Sequence, residues 1–346
     1  MANDDSISDD DDVLHIGMDL GTSRSAVAAS NGQRKWVESY VGWPQDFVAQ
    51  KMLGERVLFG SEALENRMSL DMVRPLEEGV IRDGTARDEE AVQELIHHLV
   101  EQVGGSGEQD QPVHAAVGVP AEALRVNKMA IRDAVREHAD ALMVVSEPFA
   151  VAYGLDALNH ALVIDIGAGT MDFCVMRGTM PAEEDQRSLN TAGDQIDRRL
   201  LELLEEEYPE ARFSDTVVRK YKEQHGFVQK NGRMSVKVDV PVEGKVTSIN
   251  ITDAVRQACD TILAPLVETA VDLIARYEPE FQEQVRQNIY LAGGGSLLDG
   301  LADAVEGELS EYGPCQVQTV DDPLYAGANG ALALAQDMPE EYWEDM

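Results

Sequence analysis

Residues 161–178, ALVIDIGAGTMDFCVMRG, run from an apolar stretch through Asp165 into a bend of Gly167, Ala168, Gly169 and Thr170, then back into apolar residues. Apolar runs flanking residues that accept tight backbone geometry predict two antiparallel strands with polar atoms at their bend. Residues 13–30, VLHIGMDLGTSRSAVAAS, repeat that order with Asp19 and a bend of Gly21, Thr22 and Ser23. Setting IGMDLGTSRSAVA beside LVIDIGAGTMDFC superposes Asp19 on Asp165 and Gly21 on Gly167. One such hairpin is an ordinary turn, whereas two in one chain predict two related lobes. Glycine lets the main chain approach a phosphate closely, and successive backbone N–H groups at a bend form an anion-binding nest. Asp19 and Asp165 would repel phosphate unless a hard cation lay between, so the pair implies a Mg²⁺-nucleotide.

A third glycine cluster lies in residues 289–309, IYLAGGGSLLDGLADAVEGEL. It follows a strand pattern and opens a helix with Leu297, Leu298, Leu301 and Val305 as the expected buried stripe. Its place after the second hairpin suits a segment that covers a nucleotide base.

The remaining pattern is that of an α/β protein. Residues 88–103 put Val92, Leu95, Ile96, Leu99 and Val103 on one helical stripe. A strand over 113–120, a helix over 121–139 and a strand over 142–145 then alternate. Residues 45–75 show no sustained periodicity and read as a small insertion. The chain has 346 residues, beyond the roughly 250–300 at which a single core usually stops growing, which agrees with two lobes.

Lys plus Arg total 28 against 64 Asp plus Glu, a formal charge of −36, with only 8 Lys among the cations. Such a polyanion is repelled by nucleic-acid phosphates and anionic lipid headgroups, which excludes both as primary partners. The acidity with few lysines reads as adaptation to a salt-rich cytoplasm; a mesophilic acidic protein is the alternative. Residues 1–12, MANDDSISDDDD, read as a solvated acidic disordered tail. Cys174, Cys259 and Cys315 lack metal-ligand spacing and read as free buried thiols. His97 and His98 are adjacent, about 100° apart on a helix, so one is expected at the surface and one in the core. The N-terminus has no basic region followed by an apolar segment, and the chain is expected in the cytoplasm.

The glycine motifs, in this order, resemble those of the actin superfamily, which includes actin, MreB, the heat-shock chaperones and sugar kinases. DLGTSRSAV resembles its first phosphate loop, DIGAGTMDF its second, SEPFAVAYG its connecting helix and LAGGGSLLDGL its adenosine motif. RPLEEGVI (74–81), GVPA (118–121), AGDQID (192–197) and DDPLYAGANGALALA resemble the MreB branch. VVSEPFAVAYGLD, GTMPAEEDQRSL and MPEEYW resemble its MamK-like group.

The resemblance implies a two-lobed actin-like ATPase with duplicated RNase H-like α/β domains closing on Mg-ATP. Domain I is expected over 13–155 plus 320–346, and domain II over 156–319 with an inserted subdomain at about 194–252. Asp19 and Asp165 would hold the waters of Mg²⁺. Gly21, Thr22, Ser23, Gly167, Ala168, Gly169 and Thr170 would cradle phosphates, with Gly193 beside them. Gly293, Gly294, Gly295 and Ser296 would line the adenosine. Lys222 and Glu223, in VRKYKEQHGFV, would contact the ribose; an exposed charged helix face is the other reading. Glu147 would orient the attacking water, with a helix-capping carboxylate as the alternative and Asp172 as the second catalytic candidate. The function implied is head-to-tail polymerisation into homopolymer filaments coupled to ATP hydrolysis. A small-molecule (sugar-type) kinase or a non-polymerising ATP sensor of the same fold stays open.

Overall fold

The computed structural model describes residues 13–54, 56–77, 80–81, 85–104, 111–121, 128–228 and 235–345. The chain divides into two units, Met1–Leu155 with Gly327–Met346, and Asp156–Ala326. The acidic tail at 1–12 and part of the helix expected over 121–139 lie outside the described residues; Lys128–Val135 of that helix is present.

The first unit carries β1 (Leu14–Leu20), β2 (Arg24–Ala29), β3 (Arg34–Glu38), β4 (Val41–Pro44), β5 (Leu58–Phe59), β6 (Leu70–Val73), β7 (Leu76–Glu77), β8 (Val80–Ile81), β9 (Val113–Val119) and β10 (Ala141–Ser146). Its main sheet has the order β3-β2-β1-β9-β10, closed by the short strand Glu344–Asp345. The first three strands are joined antiparallel and the next two pair in parallel. Parallel neighbours need a crossover, and helix Ala86–Gln102 supplies the one before β9. That helix starts where Thr85 accepts a bond from the Asp88 N–H, and its stripe Val92, Leu95, Ile96, Leu99 and Val103 is buried against Ile16, Val117 and other strand residues. The 45–75 stretch folds with β4 into a small β5-β4-β6 sheet around its own core of Leu58, Ala63 and Leu70, too short for a periodic signal.

The second unit carries β11 (Asn159–Ile166), β12 (Met171–Arg177), β13 (Gln186–Leu189), β14 (Lys237–Val242), β15 (Lys245–Asn250), β16 (Ile289–Ala292) and β17 (Val317–Thr319). Its sheet order, β13-β12-β11-β16-β17, repeats the antiparallel and parallel pairings of the first unit strand for strand. The aligned hairpins β1–β2 and β11–β12 therefore occupy the same place in two sheets of the same topology. β14 and β15 form a separate hairpin, and helices Gly193–Glu207 and Asp215–His225 precede it.

Several details differ from the sequence pattern. Residues 320–326 fall in the second unit, later than the boundary placed at 319, because Val320 still bonds to Leu291 and the next helix starts only at Ala326. The 289–309 segment is a short 3₁₀ turn, Gly294–Leu297, followed by a helix from Leu301 to Leu309. Gly300, at φ 81°, breaks the expected continuous helix and leaves Leu297 57% exposed, off the stripe formed by Leu298, Leu301 and Val305. Cys315 is half-buried, unlike Cys174 and Cys259. His97 and His98 are both half-buried, His98 stacking on Phe59 and His97 packing on His138.

Candidate functional site

In the first unit, β1 delivers Asp19 at its C-terminal end, beside Gly118 of β9. The bend at 21–23 is held from behind by side chains. The Ser39 hydroxyl donates to the Gly21 carbonyl at 2.6 Å and lies 2.9 Å from the buried Ser25 hydroxyl. Arg74 Nε donates to the Thr22 carbonyl at 2.8 Å, and the Ser39 N–H to the Ser23 carbonyl at 3.0 Å. In a trans peptide the carbonyl and the following N–H point in opposite directions. Fixing the carbonyls of Gly21 and Thr22 therefore aims the N–H groups of Thr22 and Ser23 away from the brace, as an anion nest requires.

Asp19 is backed by helix Ala326–Asp337. A Cβ on Gly327 would lie 2.6 Å from Asp19 Oδ2, and one on Gly17 would lie 2.1 Å from the Leu332 nitrogen, so helix and strand touch through their backbones. Glu147 is the first residue of helix Glu147–Gly154 and is 6% exposed. Its Cγ would be 3.5 Å from a Cβ on Gly118, the neighbour of Asp19 across the sheet. Ser146, not Glu147, is the N-cap.

In the second unit Asp165 ends β11 in the matching position, 6% exposed and flanked by Ala292 of β16. Gly293, at φ 73°, has no room for a side chain: a Cβ would lie 2.4 Å from Asp165 Oδ1. The bend at 167–170 closes with the Gly167 N–H on the Thr170 carbonyl at 2.9 Å. Its brace is main chain. The N–H groups of Gly193 and Asp194 donate to the carbonyls of Gly167 (3.2 Å) and Ala168 (2.7 Å), using donors that a helix N-terminus leaves without intrahelical partners. By the same peptide geometry, the N–H groups of Ala168 and Gly169 face away from that helix.

Lys222 donates to the Gly193 carbonyl at 2.8 Å and to Asp197 Oδ2 at 2.9 Å, with Arg219 3.4 Å from the same carboxylate oxygen. Burial pushes the Asp197 carboxyl above its usual range, although Lys222 and then Arg219 pull it down. Glu223, its neighbour, is exposed. Asp172 lies opposite Asp165 across β11–β12, is 1% exposed and accepts a bond from the Ser188 hydroxyl. The Ser296 hydroxyl donates to the Gly293 carbonyl at 2.7 Å, tightening the glycine triplet. Burial also pushes the Cys259 thiol up to about 12, which makes it an inert core residue.

Within the first unit the fold brings together Asp19, the 21–23 bend and Gly118 with Glu147. Within the second it gathers Asp165, the 167–170 bend, Gly193, Lys222 and the 293–296 turn. Sequence reasoning missed Ser25, Ser39, Arg74, Asp197 and Gly327. Arg74 and Asp197 stood inside quoted motifs, but nothing local marks Ser39, which acts across a strand pairing. Among the described residues no group of three or more His, Cys, Asp or Glu side chains is arranged to hold a metal ion.

This duplicated fold with paired glycine bends is that of an actin-like protein, and the MreB/Mbl protein family model matches residues 13–342. The chain belongs to the MreB/Mbl family. It is 39% identical over 330 residues to the actin-like protein MamK of Magnetospirillum gryphiswaldense, covering 95% of this chain and 91% of that one. A MamK-like protein of Paramagnetospirillum magneticum is 31% identical, covering 97% and 98% of the two chains. Among solved structures, a MamK double helical filament is 38% identical with a TM-score of 0.91, over 94% of this chain and 99% of that one. A non-polymerising MamK mutant bound to AMPPNP is 37% identical with a TM-score of 0.71, over 94% and 99%.

Proposed function

We propose that this chain is a cytoskeletal protein that binds and hydrolyses Mg-ATP and polymerises head to tail. The observation that carries this reading is that one device, a strand-end carboxylate beside a glycine bend with outward-aimed N–H groups, is built twice on equivalent strands. In each unit the bend offers N–H groups to phosphate oxygens, those of Thr22 and Ser23 in the first and those of Ala168 and Gly169 in the second. Asp19 and Asp165 fit a hydrated Mg²⁺. Each is an acceptor-only group pressed against a glycine with no room for a Cβ, and Mg²⁺ keeps its waters and needs few protein ligands. When bound, the ion would neutralise phosphate charge. The 293–296 turn lines the adenosine.

Glu147 orients the attacking water. It opens the helix that follows β10, with β9 between it and Asp19, and its Cγ would lie 3.5 Å from a Cβ on Gly118, the residue paired with Asp19. That position at a helix start, against the strand neighbour of Asp19, makes Glu147 the leading catalytic residue, with Asp172 second. The solved filament of a relative that is 38% identical supports self-assembly, and the bound AMPPNP of another supports nucleotide binding. Head-to-tail contacts between identical subunits make an open polymer, and each step must bring −36 against −36. Assembly is therefore favoured at high salt, where the Debye length falls to about 3 Å at 1 M. The protein works in the cytoplasm, with copies of itself as partner rather than nucleic acid or membrane.

Calorimetry and pelleting across a KCl series test the reading together. Wild-type protein binds Mg-ATP and sediments with it at molar KCl, and Asp19→Ala and Asp165→Ala each abolish binding. Glu147→Ala still binds and assembles but releases phosphate on the order of 10²-fold more slowly. Unchanged affinity in both aspartate variants, or no nucleotide-dependent sedimentation at any salt, would overturn it.

A further inference from the structure

Lys222 has a destination in this fold other than a ribose. Its side chain is 12% exposed, and its ammonium is shared between the Gly193 carbonyl and Asp197. The position of Gly193 matters because its own N–H, with that of Asp194, holds the carbonyls of the 167–170 bend. A Cβ at Gly193 would lie 3.2 Å from the Ala168 Cα, from the Gly167 carbonyl oxygen and from Lys222 Nζ, so three elements meet there at backbone distance.

The pair also joins two helices, since Asp197 lies on Gly193–Glu207 and Lys222 on Asp215–His225. Asp197 is 8% exposed, and an ion pair this deep demands good geometry, because removing one member leaves the other uncompensated. Among the described residues its second oxygen, Oδ1, is buried without a hydrogen-bond partner, and Oδ2 is held by Lys222 and Arg219.

We infer that Lys222 and Asp197 form a latch that seats the N-terminus of helix Gly193–Glu207 on the second glycine bend, so that Lys222 acts on phosphate binding through Gly193 and not by touching the ribose. The inference rests on the nucleotide site proposed above. Lys222 and Asp197 are positioning residues: with the latch closed, the N–H groups of Ala168 and Gly169 keep their aim, and with it open the bend loses two of its hydrogen bonds.

Two measurements test this on the full-length protein. Hydrogen exchange without nucleotide reads the amides of Gly193 and Asp194, which lose protection in Lys222→Met and in Asp197→Asn. Calorimetry with Mg²⁺ and ATP, 2′-deoxy-ATP or 3′-deoxy-ATP reads the ribose. Lys222→Met weakens all three by the same factor, about tenfold for a supporting group, and the double variant is no weaker than the worse single one. A loss confined to nucleotides that keep one ribose hydroxyl would establish a direct ribose contact and overturn the latch. Unchanged protection at Gly193 and Asp194 would overturn it equally. If Lys222→Met fails to fold, the isosteric Asp197→Asn carries both measurements. Wild-type protein that binds no Mg-ATP would refute the proposed nucleotide site, while the exchange measurement would still judge the latch.

Discussion

The bends at 21–23 and 167–170 close equivalent hairpins, yet side chains hold the carbonyls of Gly21 and Thr22 in the first, while backbone N–H groups hold those of Gly167 and Ala168 in the second. Ser25 stands on β2 of the same hairpin, while Ser39 and Arg74 reach the bend from just after β3 and β6. The N-terminus of a helix reaches the second, and its own seat depends on Lys222 and Asp197. The facing strand position differs too, being Ala26 opposite Asp19 and Asp172 opposite Asp165. Duplication preserved the sheet and the aim of the N–H groups, while each copy found its own means of fixing them. A bend held by hydroxyls is open to loss one bond at a time, whereas a bend held by a helix is lost or kept as a unit.

Alanine at the two glycines beside the carboxylates separates the copies most sharply. Gly293→Ala puts a side chain at φ 73° and 2.4 Å from Asp165, with the Ile166 carbonyl 2.6 Å away, and is expected to destabilise by roughly 2–4 kcal/mol. Gly327→Ala brings its Cβ to 2.6 Å from Asp19 Oδ2, a side chain and not backbone as at Gly293, and at a φ not in the left-handed region, so it is expected to cost less, about 1–2 kcal/mol, yet displace Asp19 and remove Mg-ATP binding. Denaturant midpoints set against calorimetry resolve the two. Equal stability losses would erase the contrast.

Ser39→Ala tests the side-chain brace. It leaves the Gly21 carbonyl with Ser25 at 3.5 Å, and the expected cost is about 1–2 kcal/mol with weakened nucleotide affinity. Amide exchange should rise at 21–25 and stay unchanged at 167–170. A rise at both bends would show that they are not independently held.

The smallest expected effect is in pH dependence, where the units have opposite signs. Burial lowers the His98 and His138 pKa values, with His97 adding repulsion, so in the window just below 6.5 the unfolded chain binds more protons than the folded one. Their contribution is intact above about 6.5, falls as pH drops through that window and levels off below the folded values. Asp197 is raised, so its contribution is full below its ordinary value and lost as pH rises through its folded value. Melting temperatures between pH 7.5 and 4 should show His138→Gln flattening the decline below 6.5 and Asp197→Asn steepening it at the acid end. Parallel profiles for both variants and wild type would contradict this assignment.

Both hairpins, the helix stripe ending at Val103 and the order of the glycine motifs were legible because each is a local pattern, set by periodicity and by the few residues that turn tightly. The same local logic carried Leu297 onto a buried stripe it does not join, because Gly300 resets the helix one turn later. The ribose contact for Lys222 came from the family resemblance; local pattern gave no sign of its observed partners, Gly193 and Asp197, which stand more than twenty residues earlier. Ser39 gave no signal, since an isolated serine becomes a brace only when β2 and β3 pair and bring it to Gly21.

Sequence by itself determined the doubled α/β architecture, the two strand-end carboxylates and the bends beside them, because alternation, glycine and repetition are written in consecutive residues. Only the tertiary structure decided what holds each bend, which way its N–H groups face and that Asp172 is occupied by Ser188 while Glu147 begins a helix. Those depend on hydrogen bonds and close backbone approaches between residues far apart in the chain. Their partners are chosen by packing and carry no mark in the local pattern.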